Sequence, residues 1–220
     1  ERFHWRWDTP EKYQLNMRAY FRMLSGVDHV MARVLQTLKE EGLAENTIVV
    51  YVADNGYYMG DRGFAGKWSH HEQSQRVPLV IFDPRQPKQH RGRTVDTMAL
   101  NLDLPATFLD WAGVPVPASY QGASLKPMIE GEATPETWRE DFFCEHFNPR
   151  YAMSWEGVRG QRFKYACYLD QNPVYEFLHD LKDDPDELIN LATNPEYAAQ
   201  LKLMRQRTDA LAEGYVNALN

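Results

Sequence analysis

Cysteine is scarce in this chain, which has only Cys144 and Cys167 among its 220 residues. The spacing of these two residues matches neither a metal-binding site nor a redox motif, and two cysteines do not make a disulfide framework. The sequence therefore excludes a small disulfide-stapled protein and a cysteine-based zinc domain. It leaves the cellular compartment open.

The chain also lacks a lysine- or arginine-rich run, and its formal net charge is −7. We therefore expect no nucleic-acid partner, although a local positive pocket could form around Arg62 and Lys67. The longest apolar runs have only the length of a strand, so we expect no membrane-spanning segment. There is no internal repeat, and the 43% apolar content is enough for a packed globular core.

Helical periodicity marks the first forty residues. The sequence Thr9-Pro10-Glu11 is a helix-start signal, and the apolar residues after it recur at helical spacing as far as Gly42. They predict one long amphipathic helix, or two helices joined near Ser25-Gly26. The apolar run at Thr47–Ala53 is too short for a helix and predicts a central parallel strand, because a helix followed by a strand is typical of an α/β layer.

Further elements follow this strand. Val77–Phe82 is a second apolar strand, with Pro78 near its start or at a sheet edge, and Asp103 is predicted to cap a short helix that closes at Gly113. Prolines and glycines then mark an irregular connection, and a final amphipathic helix is predicted at Pro195–Leu219. The predicted antiparallel sheet consists of Glu140–Phe147, Tyr151–Val158, Arg162–Leu169 and Val174–Leu178. We expect residues 1–135 to form an α/β core and residues 136–220 a smaller subdomain.

The strand at Thr47–Ala53 leads directly into Asp54 and Asn55. Ligands collect beyond the carboxyl ends of strands in open α/β sheets, and a carboxylate beside an amide oxygen suits a hard cation such as Ca²⁺ or Mg²⁺. Taken alone, the sequence Asp54-Asn55-Gly56 also favours a simple turn. Its continuation favours a ligand site, because several glycines let the backbone approach a ligand and Lys67 supplies a charge for an oxyanion. These glycines are Gly56, Gly60, Gly63 and Gly66.

A series of short motifs runs in a fixed order along nearly the whole chain. Together they resemble the second half of the type I sulfatases, within the alkaline phosphatase superfamily. The resemblance implies part of a parallel or mixed α/β sheet with flanking helices, followed by a small antiparallel sheet and a terminal helix. The motifs are Asp54-Asn55-Gly56, Gly60-Asp61-Arg62-Gly63, Gly66-Lys67, Arg76-Val77-Pro78-Leu79, Leu102–Thr107, Gly122–Leu125, Asp180–Glu187 and Asn190–Ala192.

The resemblance implies a sulfuric ester hydrolase that acts on sulfate esters or sulfamates of small molecules or polysaccharides. In that family a formylglycine attacks sulfur while a divalent cation, Ca²⁺ rather than Mg²⁺, polarises the sulfate oxygens. The resemblance makes Asp54 and Asn55 metal ligands and makes Lys67 a catalytic and sulfate-binding residue. Arg62 and His70 are further candidates for substrate binding, with Arg62 standing where many relatives have histidine.

The family's Cys/Ser-x-Pro-x-Arg motif, which carries the formylglycine, is absent. Neither Cys144 nor Cys167 begins it, and no serine does. We therefore expect a C-terminal fragment that is inactive alone and has the N-terminal half of the same protein as its partner, as the start at Glu1 also suggests. The family's use of Ca²⁺ and exported substrates implies a periplasmic, secreted or lysosomal protein.

Other functions remain open. A phosphatase or phosphonate monoester hydrolase of the same superfamily would share this fold, although Asn55 fits the sulfatase pattern where superfamily phosphatases tend to have histidine. A non-catalytic, sulfatase-like binding module is the third possibility, and the upstream sequence would discriminate between them. His70 and His71 are adjacent and lack the helical spacing of a zinc site, so metal ligation by either is not expected.

Overall fold

The computed structural model describes residues 1–148, 150 and 153–218. The chain divides into two compact units: unit 1 contains Glu1–Lys67 and Arg76–Pro135, and unit 2 contains Trp68–Gln75 and Glu136–Asn220. The short segment Trp68–Gln75 thus packs with the second unit. The assignment of residues 1–135 and 136–220 as domains stays a prediction.

The first unit contains helices at both ends and four short strands between them, whereas the second is built on four longer strands and a final helix. The helices in the described ranges are α1 (Arg2–Arg6), α2 (Pro10–Glu40), α3 (Glu72–Gln75), α4 (Asp103–Trp111), α5 (Lys126–Ile129) and α6 (Ala198–Ala218). The strands are β1 (Val49–Val52), β2 (Tyr58–Met59), β3 (Ala65–Gly66), β4 (Leu79–Phe82), β5 (Asp141–His146), β6 (Trp155–Gly160), β7 (Phe163–Tyr168) and β8 (Tyr175–Asp180). None of the helices described is long and apolar enough to span a membrane.

Helix α2 is a single helix. Thr9 is its N-cap, where the side-chain oxygen accepts a hydrogen bond from the backbone N–H of Lys12 (3.3 Å), and Pro10 takes the first helical position. The helix passes through Ser25-Gly26 without a break, which decides between the two alternatives. It buries no residue within the described chain, and most of its apolar side chains are exposed.

Strand β1 pairs with β4 in an antiparallel two-stranded sheet, with Val49 opposite Phe82 and Val52 opposite Leu79. The prediction of a parallel strand is therefore wrong for this pair. A helix followed by a strand indicates an α/β layer, but it does not determine the direction of the next strand. Here the chain turns back after β1 through the β2–β3 hairpin. Pro78 lies immediately before β4, as predicted for a proline at a strand start.

Helix α4 begins differently from the prediction. Asp103 is its first helical residue, and the N-cap position belongs to Leu102. The Asp103 carboxylate accepts hydrogen bonds from the backbone N–H groups of Leu100 (2.7 Å) and Ala123 (2.9 Å). The predicted helix cap is therefore wrong, and this buried side chain fastens two neighbouring loops instead.

Unit 2 is built on a four-stranded antiparallel sheet in the order β5-β6-β7-β8, which confirms the predicted sheet. The predicted second strand differs in its bounds: Tyr151 and Ala152 lie outside the described residues, and the observed strand is β6. The predicted end of the last helix at Leu219 also lies outside the described residues.

The two faces of this sheet have different partners. On one face Val158, Tyr165 and Leu178 lie opposite one another on three strands and pack against Leu201 and Met204 of α6. Each fully buried side chain of this kind stabilises the fold by about 1.5–3 kcal/mol. The other face carries the segment Trp68–Gln75, as the hydrogen bonds described below show.

Candidate active site

Asp54 and Asn55 follow β1 with one residue between, where the extended backbone turns away. The backbone N–H of Asn55 donates to Asp54 Oδ1 (2.9 Å), and Asn55 Nδ2 donates to the Gly56 carbonyl (2.8 Å). Asn101 supports this turn from the loop before α4, since its Nδ2 donates to the carbonyls of Ala53 and Asp54 at 3.2 Å each. Asp54-Asn55-Gly56 therefore forms a turn and also carries side-chain oxygens of the kind that bind a metal.

Lys67 reaches back to this turn. Its Nζ donates to Asn55 Oδ1 at 2.5 Å, a short charge-assisted contact between residues twelve positions apart. Lys67 lies between Gly66 at φ +100° and Trp68 at φ +89°, and a positive φ is unusual for a bulky residue. Such strain persists only where the surroundings hold it, and it occurs preferentially at functional sites.

Hydrogen bonds within unit 2 hold Trp68 in this conformation. Its backbone N–H donates to Ser74 Oγ (2.9 Å), and its carbonyl accepts from Trp155 Nε1 (2.7 Å). The residue that follows Lys67 is therefore fixed on both sides of its Cα.

The hairpin between Asn55 and Lys67 is braced by the N-terminal segment. Gly60 has φ +104°, a conformation that favours glycine, and a Cβ there would make a tight contact of 3.3 Å with Trp7 Cβ. Arg6 Nη1 also donates to the Tyr57 hydroxyl (3.0 Å). Arg62 has φ +57° at the centre of the 3₁₀ turn Asp61–Gly63.

His70 lies in unit 2 and is buried, with 1% of its surface exposed. Its Nδ1 lies 3.0 Å from the Tyr168 hydroxyl and its Nε2 lies 3.1 Å from Nε2 of His179. His179 in turn donates from Nδ1 to the Ile189 carbonyl (3.1 Å), because a carbonyl only accepts. Burial raises the pKa of Tyr168 to about 12, so its hydroxyl is protonated at neutral pH.

A buried lysine fastens the same segment. Lys164 Nζ lies 2.5 Å from Glu72 Oε1 and 2.8 Å from Glu187 Oε1, and it donates to the His70 carbonyl at 3.1 Å. Burial alone would raise the pKa of Glu72, but the charges of Lys164 and Arg159 outweigh burial and lower the pKa. The ion pairs thus tie α3 to β7.

The structure brings part of the predicted set together. Asn55 and Lys67 are in direct contact beside Asp54 in unit 1, and Arg62 lies on the hairpin between them, whereas His70 is packed inside unit 2. The assigned roles of all five stay predictions.

Sequence reasoning missed four residues that position these groups: Asn101, Lys164, Tyr168 and His179. Lys164 and Tyr168 follow the alternation of an ordinary strand, and His179 lies 109 positions from His70, so periodicity gives no sign of the contacts. Asn101 carried a weak signal, because it comes just before the Leu102–Thr107 motif.

The donor atoms at the end of β1 fit a hard cation. Asp54 offers an exposed carboxylate, and Asn55 Oδ1 is an amide oxygen with two lone pairs, of which Lys67 engages one. Oxygen ligands of these two kinds are what Ca²⁺ and Mg²⁺ prefer. A complete Ca²⁺ shell has about 6–8 oxygens, so the remaining ligands must come from elsewhere.

Two family models match the chain. The model described as Sulfatase matches residues 3–114, and the model described as N-sulphoglucosamine sulphohydrolase, C-terminal, matches residues 60–214. The chain belongs to the sulfatase family. The second match also shows that it corresponds to the C-terminal part of such proteins, which confirms the resemblance drawn from its motifs.

Curated and solved relatives agree with this assignment. The N-acetylglucosamine-6-O-sulfatase of Bacteroides thetaiotaomicron is 36% identical over 93% of this chain and 37% of the relative. A solved protein in complex with its substrate D-glucosamine-2-N,6-O-disulfate has a TM-score of 0.86 and 35% identity, over 94% of this chain and 42% of that protein. The phosphonate monoester hydrolase of Agrobacterium radiobacter has a TM-score of 0.82 and 30% identity, over 94% and 43%. The chain therefore spans about two fifths of the length of these relatives.

Proposed function

We propose that this sulfatase-family chain forms part of a longer enzyme that hydrolyses sulfate esters or sulfamates of carbohydrates, amino sugars in particular. The observation that carries the proposal is the contact of Lys67 Nζ with Asn55 Oδ1 at the end of β1. This contact places the Lys67 ammonium, which would bind the sulfate, next to the oxygen atoms that would bind a metal. The names of the amino-sugar relatives support the substrate class.

Lys67 binds the sulfate group in this proposal. An ammonium group beside the leaving oxygen stabilises the negative charge that develops as the ester bond breaks. The left-handed residues on either side, Gly66 and Trp68, fix the direction of the Lys67 backbone before substrate arrives. Less reorganisation is then needed during the reaction.

Asp54 and Asn55 would hold the divalent cation, for which Ca²⁺ is the proposed ion. When bound, the cation would supply positive charge that polarises the sulfate oxygens. Asn101 keeps the backbone of Asp54 in place through its two carbonyl contacts. The nucleophile, a formylglycine by the family pattern, belongs to the part of the enzyme outside this chain.

Arg62 and His70 are further proposed substrate contacts, with less support than Lys67. Arg62 lies in the hairpin turn, and in this proposal its planar fork pairs with a sulfate or a sugar carboxylate. His70 would first have to leave Tyr168 and His179, because both of its ring nitrogens contact them. This requirement weakens the case for His70.

The proposed partner of unit 1 is the N-terminal half of the same protein. Helix α2 buries none of its residues within this chain although many of its side chains are apolar. An apolar face of this length is normally covered by another part of the fold. Its exposed apolar residues include Leu15, Phe21, Met23, Leu24, Val27, Val30, Val34 and Leu35.

Phosphonate monoester hydrolysis is the second candidate function, because a hydrolase of that class shares the fold at a TM-score of 0.82. Asn55 favours the sulfatase, since an amide suits a hard cation, whereas histidine at this position suits a softer transition metal.

A comparison of two substrates tests the proposal. The full-length protein, purified with Ca²⁺, is assayed with N-acetylglucosamine 6-sulfate by sulfate release and with a phenyl phosphonate monoester by phenol release. We expect a higher kcat/KM for the sulfate ester. A higher kcat/KM for the phosphonate would contradict it and support the second candidate.

A further inference from the structure

Three histidines meet on one face of the unit 2 sheet. His70 and His71 precede α3, and His179 comes from β8. All three are buried, and one atom of each that could bind a metal lies within 4.8 Å of those of the other two. We propose that this histidine cluster binds one divalent transition-metal ion, with Zn²⁺ as the ion that fits it best.

The spacing of the rings suits such an ion. Zn–N bonds of about 2.0–2.1 Å in a tetrahedral site place two ligand nitrogens roughly 3.3 Å apart. The Nε2 atoms of His70 and His179 are 3.1 Å apart, and the ring centroids of these two residues are 5.3 Å apart, close to the roughly 5 Å expected for two ligands of one ion. The His71 ring centroid lies 5.6 Å from that of His179 but only 4.0 Å from that of His70, so the His71 ring has to turn. The third nitrogen has to approach by no more than about 1.5 Å, a movement within reach of a side-chain rotation.

The hydrogen-bond partners of the three rings are of the kind that orient metal-binding histidines in other proteins. A ligating histidine typically uses its second ring nitrogen for a hydrogen bond to a protein oxygen. Here Nδ1 of His179 donates to the Ile189 carbonyl, Nδ1 of His70 contacts the Tyr168 hydroxyl, and Nδ1 of His71 contacts Ser69 Oγ at 3.3 Å. A hydroxyl accepts as well as donates, so Nδ1 of each ring can keep its proton and leave Nε2 as the metal-binding atom.

The chemistry of the cluster separates it from the oxygen site at the end of β1. Imidazole nitrogens suit Zn²⁺ and its neighbours in the periodic table, whereas Ca²⁺ prefers oxygen. The nearby charge of Lys164 is balanced by Glu72 and Glu187, so it does not leave a net positive field. Three histidines leave a fourth zinc position, which water normally fills.

A bound ion would fasten the Trp68–Gln75 segment to β8. This segment follows Lys67 directly in the chain, so the ion would reduce the freedom of the residues next to the proposed sulfate lysine. Its role would be positional, because each of its three ligands is at most 6% exposed.

The test is a Zn²⁺ titration of the full-length protein. The protein is stripped with a chelator, returned to excess Ca²⁺, and titrated with Zn²⁺ against a chromophoric competitor. We expect one Zn²⁺ per chain with a Kd below about 1 μM, weaker than a structural site with four protein ligands. No uptake of Zn²⁺ by the wild-type protein would overturn the proposal, whatever the sulfatase assay shows.

Substitutions in the histidine cluster test whether the ion binds there. His179→Gln and, as a second ligand in case that variant does not fold, His71→Gln should each weaken Zn²⁺ binding by more than about 100-fold. Tyr168→Phe should weaken it by about 10–100-fold, the scale for loss of an outer hydrogen bond. His146→Gln is the matched control, a histidine of β5 outside the cluster, and should bind Zn²⁺ as the wild type does. Equal affinity in both ligand variants and the wild type would overturn the proposal.

Discussion

At the scale of single residues, the side chains around β1 divide into those with a proposed role in the reaction and those that hold them in place. Lys67 and Asn55 form the contact on which the proposed function rests, and Gly66, Trp68 and Asn101 determine where that contact lies. The residues with a proposed role carry a recognisable motif. Gly66 belongs to the same motif, whereas the supporting contacts of Trp68 and Asn101 are known only from the structure, because they depend on tertiary packing.

Replacement of Lys67 should separate catalysis from stability. In the full-length enzyme we expect Lys67→Ala to lower kcat/KM for a sulfate ester by roughly 10²–10³-fold, the cost of losing one preorganised charge contact. Stability should change little, since a loop lysine contributes little to packing. Lys67→Arg should not restore full activity, because a planar fork does not replace a compact ammonium.

The control for this experiment is Lys88→Ala, an exposed lysine of another loop in unit 1. Activity and Tm are measured on the same preparations. An unchanged kcat/KM in Lys67→Ala would end the catalytic assignment, and a fall in Tm with normal activity would make Lys67 a structural residue.

Replacement of Lys164, in contrast to that of Lys67, should change the stability of the protein. It is fully buried between Glu72 and Glu187, so Lys164→Met should remove the buried positive charge that both carboxylates contact and lower the free energy of unfolding by about 3–5 kcal/mol. Denaturant unfolding measures this loss, with Lys202→Met on the exposed side of α6 as control. A loss below about 1 kcal/mol would show that the ion pairs do not support unit 2.

At the scale of elements, patterns that depend on neighbouring residues were predictable. The capping signal at Thr9 and the periodicity after it gave α2, and the spacing of short apolar strands gave the antiparallel sheet of unit 2. The direction of β4 beside β1 was not predictable, because strand pairing depends on the path of the loop between them. The capping role of Asp103 failed for a similar reason: its bond to Ala123 joins residues twenty positions apart.

Gly157 shows how closely β6 and β7 pack. A Cβ built on Gly157 would lie 2.0 Å from the Tyr165 carbonyl oxygen, a backbone atom that cannot move without disturbing β7. We expect Gly157→Ala to destabilise the protein by at least about 1–3 kcal/mol, the usual cost of overpacking.

Gly214→Ala is the matched control, because a Cβ at this position in α6 meets nothing within 4 Å. It should stabilise the protein by about 0.5–1 kcal/mol through helix propensity. Chemical denaturation of both variants should show a lower free energy of unfolding for Gly157→Ala and a higher one for Gly214→Ala. A Gly157→Ala protein as stable as the wild type would refute the close strand contact.

At the scale of the whole molecule, we propose that the chain contains one part of a catalytic site. The motifs assigned it to the sulfatases, and the comparisons confirmed that family, but the motif that carries the nucleophile is not in this sequence. The histidine cluster was not expected, since its third member is distant in sequence and becomes a neighbour only when β8 packs beside the Trp68–Gln75 segment.

The isolated chain of 220 residues should therefore not turn over an aryl sulfate. It offers Asp54 and Asn55 where Ca²⁺ takes about 6–8 oxygens, so its Ca²⁺ affinity should also be weak. The measurement is sulfate release by this polypeptide at concentrations where the full-length enzyme is active. Turnover by the chain alone would refute the prediction that the nucleophile lies elsewhere.

In the proposed function, the turn after β1 holds the cation and Lys67 beside it binds the sulfate. A Ca²⁺ titration of the full-length protein tests this directly, with wild type compared with Asp54→Ala and with Asp96→Ala as an exposed control. We predict that Asp54→Ala raises the Kd for Ca²⁺ by at least about 10-fold, a loss of 1.4 kcal/mol or more, while Asp96→Ala binds as the wild type does. Equal Ca²⁺ affinity in Asp54→Ala and the wild type would contradict it.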